Sequence, residues 1–170
     1  MTDEPLWIDA ETTVSARPAD HKMELRLWLR LFSCSRLIEN DIRRHLNGEF
    51  EFSLPRFDIL AQLDRADDGL VLGEVSKRLM VSAGNITSLV DGLVKSGHIT
   101  RTTSSGDRRA QVIRLTDKGR REFRRMAKVH SDWIAAYFEH MSQKDIDRLM
   151  DLLAVLKESA RRSIIAKQDS

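Results

Sequence analysis

Apolar side chains recur at steps of three and four residues through two long stretches of this chain, one near each end. Leu25, Trp28, Leu29, Phe32, Ile38, Ile42 and Leu46 form the first series; Ile146, Leu149, Leu153, Leu156, Ala160 and Ile164 form the second. That spacing returns side chains to one side of an α-helix and does not suit a strand, whose period is two. Long helices are therefore the frame, and the middle of the chain has to fit around them. Only 8 glycines and 3 prolines occur in 170 residues, too few for a sandwich of many turns. Hydrophobic residues (41%) supply a core, and a charged share of 32% suits helices that face water.

Several functional classes drop out early. The net charge of +2 gives no global field, so a polyanionic partner would have to be met by local clustering. Cys34 is the single cysteine, which leaves no intrachain disulfide and no cysteine-based zinc site. Met1 to Asp20 carries Asp3, Glu4, Asp9 and Glu11 with no basic or apolar region of a signal peptide. No apolar run approaches the ~18 residues of a membrane span, so a soluble, cytoplasmic protein is expected, with no membrane partner. The five histidines lack metal-binding spacing, and there is no phosphate loop or nucleophile elbow. Neither an enzyme nor a metal or other cofactor is expected.

Residues 1–18 read as a flexible acidic arm. Residues 19–50 read as one helix for dimerisation and pocket formation, with Asp20 as N-cap and Gly48 as its stop. Its broad stripe at Leu25–Phe32 predicts cover on more than one side. Ser53 caps the next helix with Pro55 in its first turn, and Phe57, Leu60, Ala61 and Leu63 form the inner face. Asp67-Asp68-Gly69 is a turn, and Leu70–Leu72 a very short strand. Helix Gly73–Met80, turn Val81-Ser82 and helix Ala83–Ser96 follow, the last capped by Ser82 and stopped at Gly97. Val75, Leu79, Ile86, Leu89, Val90 and Leu93 are their packing face. Ile99–Thr103 and Ala110–Leu115 are β-compatible runs joined by the polar, charged connection 104–109. Thr116 caps a helix to about His140, and Ser142 caps the last one. Residues 117–170 are expected to dimerise, because the stripe of the last helix needs a partner.

Helix, tight turn, helix and basic hairpin in this order make a winged helix-turn-helix, so 51–116 reads as a DNA-binding domain in a mainly α fold with a small β-wing. The major groove, ~12 Å wide, admits one α-helix. The helix that enters should present short polar groups and no acid at its leading end. Ser82, Ala83, Gly84, Asn85, Thr87 and Ser88 fit: Asn85 can read adenine, hydroxyls adapt, and Thr87 offers a methyl to thymine. A polar loop and cap would have the same composition, and the hairpin decides between the two. From Arg101 to Arg125 nine basic residues face three acidic ones, a local charge of +6. Arg108 and Arg109 at the tip suit a narrow minor groove, with Asp107 to hold one in place.

The run Asp107-Arg108-Arg109-Ala110, followed by Leu115-Thr116-Asp117-Lys118-Gly119, resembles the wing of the MarR family of bacterial transcriptional regulators. Leu89-Val90-Asp91-Gly92-Leu93, then Gly97, Ile99 and Arg101, is similar to the end of that family's recognition helix. The similarity is strong over 53–125, and the helix order extends it across 20–165. It implies a homodimer formed by the N- and C-terminal helices, bound to double-stranded DNA, with Arg109 as wing arginine and Asp107 as its partner. Ser88 stands where many members have arginine, and His98 where an apolar residue is usual.

The resemblance also implies a small-molecule effector, often an aromatic acid, that releases a repressor from its operator. Candidate pocket walls are Trp28, Phe32, Arg36, Phe57, Trp133 and Tyr137. Arg36, amid apolar neighbours, needs an anion: Glu39, Asp41 or a ligand. The run Arg56 to Arg65, with Leu79-Met80-Val81 and Gly84-Asn85-Ile86-Thr87, looks like a MarR subgroup tied to aromatic-acid degradation, some of which respond to aromatic acyl-coenzyme A thioesters. Two rival readings stand beside this one. Cys34 would make a redox sensor, although a buried structural thiol is the expectation. A dimeric helical adaptor without DNA binding would tolerate neutral residues at Arg108 and Arg109.

Overall fold

The computed structural model describes residues 10–16, 22–103 and 110–168. The order is α1 (Ala10–Ser15), α2 (Met23–Phe50), α3 (Leu54–Asp64), β1 (Leu70–Val71), α4 (Leu72–Leu79), α5 (Ala83–Lys95), β2 (Ile99–Thr103), β3 (Gln111–Leu115), α6 (Asp117–Tyr137) and α7 (Gln143–Gln168). The expected mainly α fold with a small β-sheet is what forms. Two units divide after Val129, within α6.

The core of the first unit gathers Leu46 from α2, Ile59, Leu60 and Leu63 from α3, and Val75 from α4. Ile86, Val90 and Leu93 of α5, Ile99 and Ile113 of the sheet, and Met126 of α6 complete it. The three strands are antiparallel in the order β1-β3-β2. Leu70 faces Ile113 across β1 and β3, and Ile99 faces Leu115 across β2 and β3. Only two residues of the Leu70–Leu72 run are strand, because Leu72 already opens α4.

Other boundaries also move. Part of the expected arm is structured: α1 packs on α2 and its Glu11 takes Nη2 of Arg30 at 2.7 Å. Asp20 lies outside the described residues, and α2 starts after Lys22. Gly48 does not stop α2. The chain turns at Glu51, which adopts φ 51; its N–H goes to the Asn47 carbonyl and that of Phe52 to Leu46. The next residue explains the placement, since Phe52 is buried and anchors the exit from the helix. On α3 Phe57, Leu60 and Leu63 are buried as expected and Ile59 joins them, whereas Ala61 is only half-buried. α6 ends at Tyr137 rather than near His140.

The stripe at Leu25–Phe32 is not covered within one chain: Leu25, Leu27, Trp28 and Phe32 are exposed, and burial on α2 begins at Ile42. In the second unit Ser142 caps α7 by accepting the Asp145 N–H at 3.2 Å. Along α7, Leu149, Leu153, Leu156 and Ile164 are exposed at helical spacing. Among the described residues no helix is long and apolar enough to cross a membrane.

One half-buried carboxyl bears on stability. Asp58 of α3 faces Glu39 and Arg43 of α2. Burial pushes its carboxyl up to about 6, against the pull of Arg43 and with a further push from Glu39. Glu39 itself is held below its usual range by the bond from Arg43. The folded protein thus keeps the Asp58 proton to about pH 6, while the unfolded chain releases it near the ordinary carboxylate value. This group stabilises the fold at low pH, and the contribution is lost as pH rises through about 6. A shift of this size is worth at most ~3 kcal/mol, and partial exposure screens it. Asp58→Asn is expected to stabilise the protein at pH 7.5 by ~1–2 kcal/mol and to have little effect at pH 4, measured by urea unfolding.

Candidate nucleic-acid interface

α5 is built to be read from outside. Ile86, Val90 and Leu93 are buried on one side, while Gly84, Asn85, Thr87, Ser88 and Asp91 are exposed on the other. Its first turn carries no acid, and Ser82, the N-cap, accepts the Asn85 N–H. Ala83 is the first residue of the helix. A Cβ added at Gly84 would meet nothing within 4 Å, so the backbone there is open to close approach. The turn from α4 into α5 is fixed by Ser76, whose carbonyl takes the Val81 N–H at 3.2 Å and whose hydroxyl donates to the Val81 carbonyl at 2.7 Å. Met80 takes the left-handed conformation in that turn, at φ 54, and is 94% exposed.

The far end of α5 closes through glycine as expected. Gly97 adopts φ 73, its N–H bonds the Val94 carbonyl and that of His98 bonds Leu93. This is a closing turn in which a residue at positive φ lets two carbonyls be capped, and glycine adopts it without a Cβ penalty. The chain then runs straight into β2. β2 and β3 pair from Ile99↔Leu115 out to Thr103↔Gln111. The tip beyond, residues 104–109 with Asp107, Arg108 and Arg109, lies outside the described residues.

The basic run at the wing root is partly spoken for. Arg101 pairs with Asp91 of α5 at 2.7 Å, and Arg120 with Asp64 of α3 at 3.2 Å. Arg114 donates to Thr102 Oγ1, Lys118 to the Ser96 carbonyl, and Arg125 lies over the Phe50 ring at 5.1 Å. Arg121 and Arg124 are exposed. Sequence reasoning counted Arg101 among the phosphate-facing charges and missed Asp91 as its partner. The signal was present, one acid on an otherwise neutral helix face.

The six suggested pocket residues do not share one setting. Trp28 and Phe32 stack at 5.8 Å on the exposed part of α2, and Arg36, further along α2, bonds Glu39 at 3.3 Å. Glu39 is therefore an anion that Arg36 has in hand. Phe57 is buried in the core against Phe123, ring centres 5.3 Å apart. Trp133 and Tyr137 are half-buried in the second unit, where His130 meets Trp133 edge-on. Cys34 is exposed on α2, not buried as expected, because that part of the helix stands outside the core. His98 is fully buried with both ring nitrogens engaged.

Comparison with known proteins agrees with this geometry. Residues 51–110 match the MarR family profile. The transcriptional repressor YetL of Bacillus subtilis is 32% identical over 135 residues, 79% of this chain and 80% of the relative. The chain belongs to the MarR family. It is thus a transcriptional regulator of that family and not an enzyme. The transcriptional activatory protein BadR of Rhodopseudomonas palustris is 27% identical over 152 residues, 85% of each chain. Among solved structures, Streptococcus pneumoniae FabT in complex with DNA superposes with a TM-score of 0.68 at 25% identity, covering 82% of this chain and 98% of FabT.

Proposed function

We propose that this MarR-family protein is a homodimeric repressor that binds a near-palindromic operator and leaves it when a small aromatic effector binds. The observation that carries the DNA-binding part is the two-sided α5, apolar inward and, in its first two turns, neutral and polar outward, joined to the β2–β3 pair whose connecting sequence, 104–109, contains Arg108 and Arg109. FabT, similar in fold and 25% identical, is seen with DNA. Ser82 to Ser88 would face the major groove, and Arg108 and Arg109, with Asp107, the flanking minor groove. Dimerisation is supported by the exposed apolar residues of α7 and of the first half of α2, which a second copy would cover. Two-fold symmetry then sets half-sites about one helical turn (~34–36 Å) apart.

The test is duplex binding at varied salt, with DNA from beside the protein's own gene. Arg109→Ala is expected to weaken binding to all sequences and to flatten the salt slope by about one unit. Unchanged operator binding by that variant removes the wing from the interface. For the effector, Trp28, Phe32, Arg36, Phe57, Trp133 and Tyr137 are the residues to substitute. The ligand is an aromatic acid or its coenzyme A thioester, and it acts by preferring the geometry that does not fit DNA. Titration of aromatic acids and their thioesters against the operator complex decides this part, and a panel without effect disposes of it.

A further inference from the structure

Behind the reading helix, the described residues bury one polar side chain in the core: His98, 5% exposed. Such a group is costly unless both ring nitrogens are satisfied. Here both are. Nδ1 lies 2.7 Å from Ser96 Oγ, and Nε2 lies 2.6 Å from Glu122 Oε2. A carboxylate only accepts, so the ring donates through Nε2. Ser96 is the C-cap of α5. Its one hydroxyl hydrogen serves Nδ1, the nearer acceptor, with the Leu93 carbonyl 3.2 Å away as the alternative, and its oxygen takes Nη2 of Arg56 at 3.0 Å. Arg56, from α3, lies over the Phe52 ring, and that ring meets His98 edge-on. One connected set therefore runs from α3 through the end of α5 and the root of β2 to α6.

We propose that His98 is a positioning residue of the DNA-reading unit: it clamps the closing turn of α5 and the root of the wing to α6, and so sets the angle at which α5 is presented. The proposal rests on the DNA-binding reading above. A well-packed apolar side chain would fill the same space at little cost to stability, because neither partner is then left unsatisfied: the Glu122 side chain is 40% exposed and reaches water, and the Ser96 hydroxyl turns to the Leu93 carbonyl and still accepts from Arg56. What an apolar side chain lacks is direction. Two bonds on opposite sides of a planar ring fix the distance and angle between Ser96 and Glu122. The backbone reinforces the point, since the His98 carbonyl takes the Thr116 N–H at 3.0 Å, just before α6, and the Thr116 hydroxyl donates to the neighbouring Gly97 carbonyl at 2.7 Å. A shift at His98 is thus passed to α6 at two places.

The test compares full-length His98→Leu, which keeps bulk and loses both bonds, with His98→Asn and His98→Gln, which place an amide near the Ser96 and the Glu122 side respectively. Urea unfolding, affinity for the operator and for an unrelated duplex, and hydrogen exchange at the 96–99 amides are measured on each. His98→Leu is expected to unfold at nearly the parent's midpoint and to bind unrelated duplex within about twofold, yet to lose about tenfold in operator affinity, because an α5 presented at another angle forfeits base contacts and keeps phosphate ones. Exchange at 96–99 should rise, and one amide variant should recover part of the loss. Operator binding within about twofold of the parent overturns the proposal. So does a loss that falls equally on both duplexes and follows stability. Should His98→Leu fail to fold, Ser96→Ala removes the hydroxyl link outside the core and carries the same comparison. If the parent binds no duplex at all, the DNA-binding reading fails by itself. Exchange at 96–99 then still decides the clamp, sustained by a rise in the variant and overturned by no change.

Discussion

Gly119→Ala is expected to destabilise the fold by ~3 kcal/mol or more, although it lies in a helix where alanine is the better former by ~1 kcal/mol. Steric contact decides the sign. A Cβ at Gly119 would stand 1.9 Å from the His98 carbonyl oxygen and 2.8 Å from its carbon. Neither atom can swing away as the end of a flexible side chain would. That carbonyl accepts the Thr116 N–H at 3.0 Å, and the Thr116 hydroxyl accepts the Gly119 N–H at 3.0 Å while donating to the Gly97 carbonyl at 2.7 Å. Relief requires moving the first turn of α6 away from the wing root and breaking these bonds. Gly48→Ala is the control. Gly48 also sits inside a helix, but its Cβ would meet nothing within 4 Å, so a gain of ~0.5–1 kcal/mol is expected there. Urea unfolding of both variants checks the pair. A Gly119→Ala protein as stable as its parent would mean that α6 and the wing root are not in the contact described.

The second large effect falls on recognition and leaves the fold alone. Asn85→Ala and Thr87→Ala are each expected to cost ~1–3 kcal/mol of operator binding per half-site contact. A two-fold dimer carries each change twice, so ~2–6 kcal/mol is expected per dimer. Both side chains are exposed, and the Asn85 contact to the cap is made by its backbone N–H, which alanine keeps. Stability should therefore move by no more than ~0.5 kcal/mol. Selection from a randomised duplex library should show base preference lost at one symmetric pair of positions, with the salt slope unchanged. A uniform loss over all sequences would instead assign these residues to the phosphates.

Legibility followed how local each signal was. β2 occupies the range that its residues predict, and α5 nearly so, because Ser82 and Gly97 act within one turn of the ends they define. The end of α2 was misread at Gly48 because a residue outside the helix, Phe52, sets it from the core. Met80 carries no sequence mark of its left-handed backbone. Its own N–H goes to the Lys77 carbonyl and Ser76 holds the next residue, Val81, and nothing in the spacing announces these bonds. His98 could be seen as a departure from the family pattern, but not its partners. Ser96 is two positions away, whereas Glu122 lies 24 positions on, a distance only folding closes. The partners of the basic run were hidden for the same reason, since the Asp91 that pairs with Arg101 and the Asp64 that pairs with Arg120 come from other elements.

Holding Arg101 on Asp91 has a cost and a benefit away from any operator. Each surface guanidinium paired with a carboxylate of its own chain is less available to displace cations from random duplex, and that displacement supplies nearly all of the grip on unspecific sequence. A chromosome offers ~10⁶–10⁹ such decoys for each true target. On the proposed DNA-binding reading, muting this charge beside α5 would weaken the hold of decoys more than that of the true target.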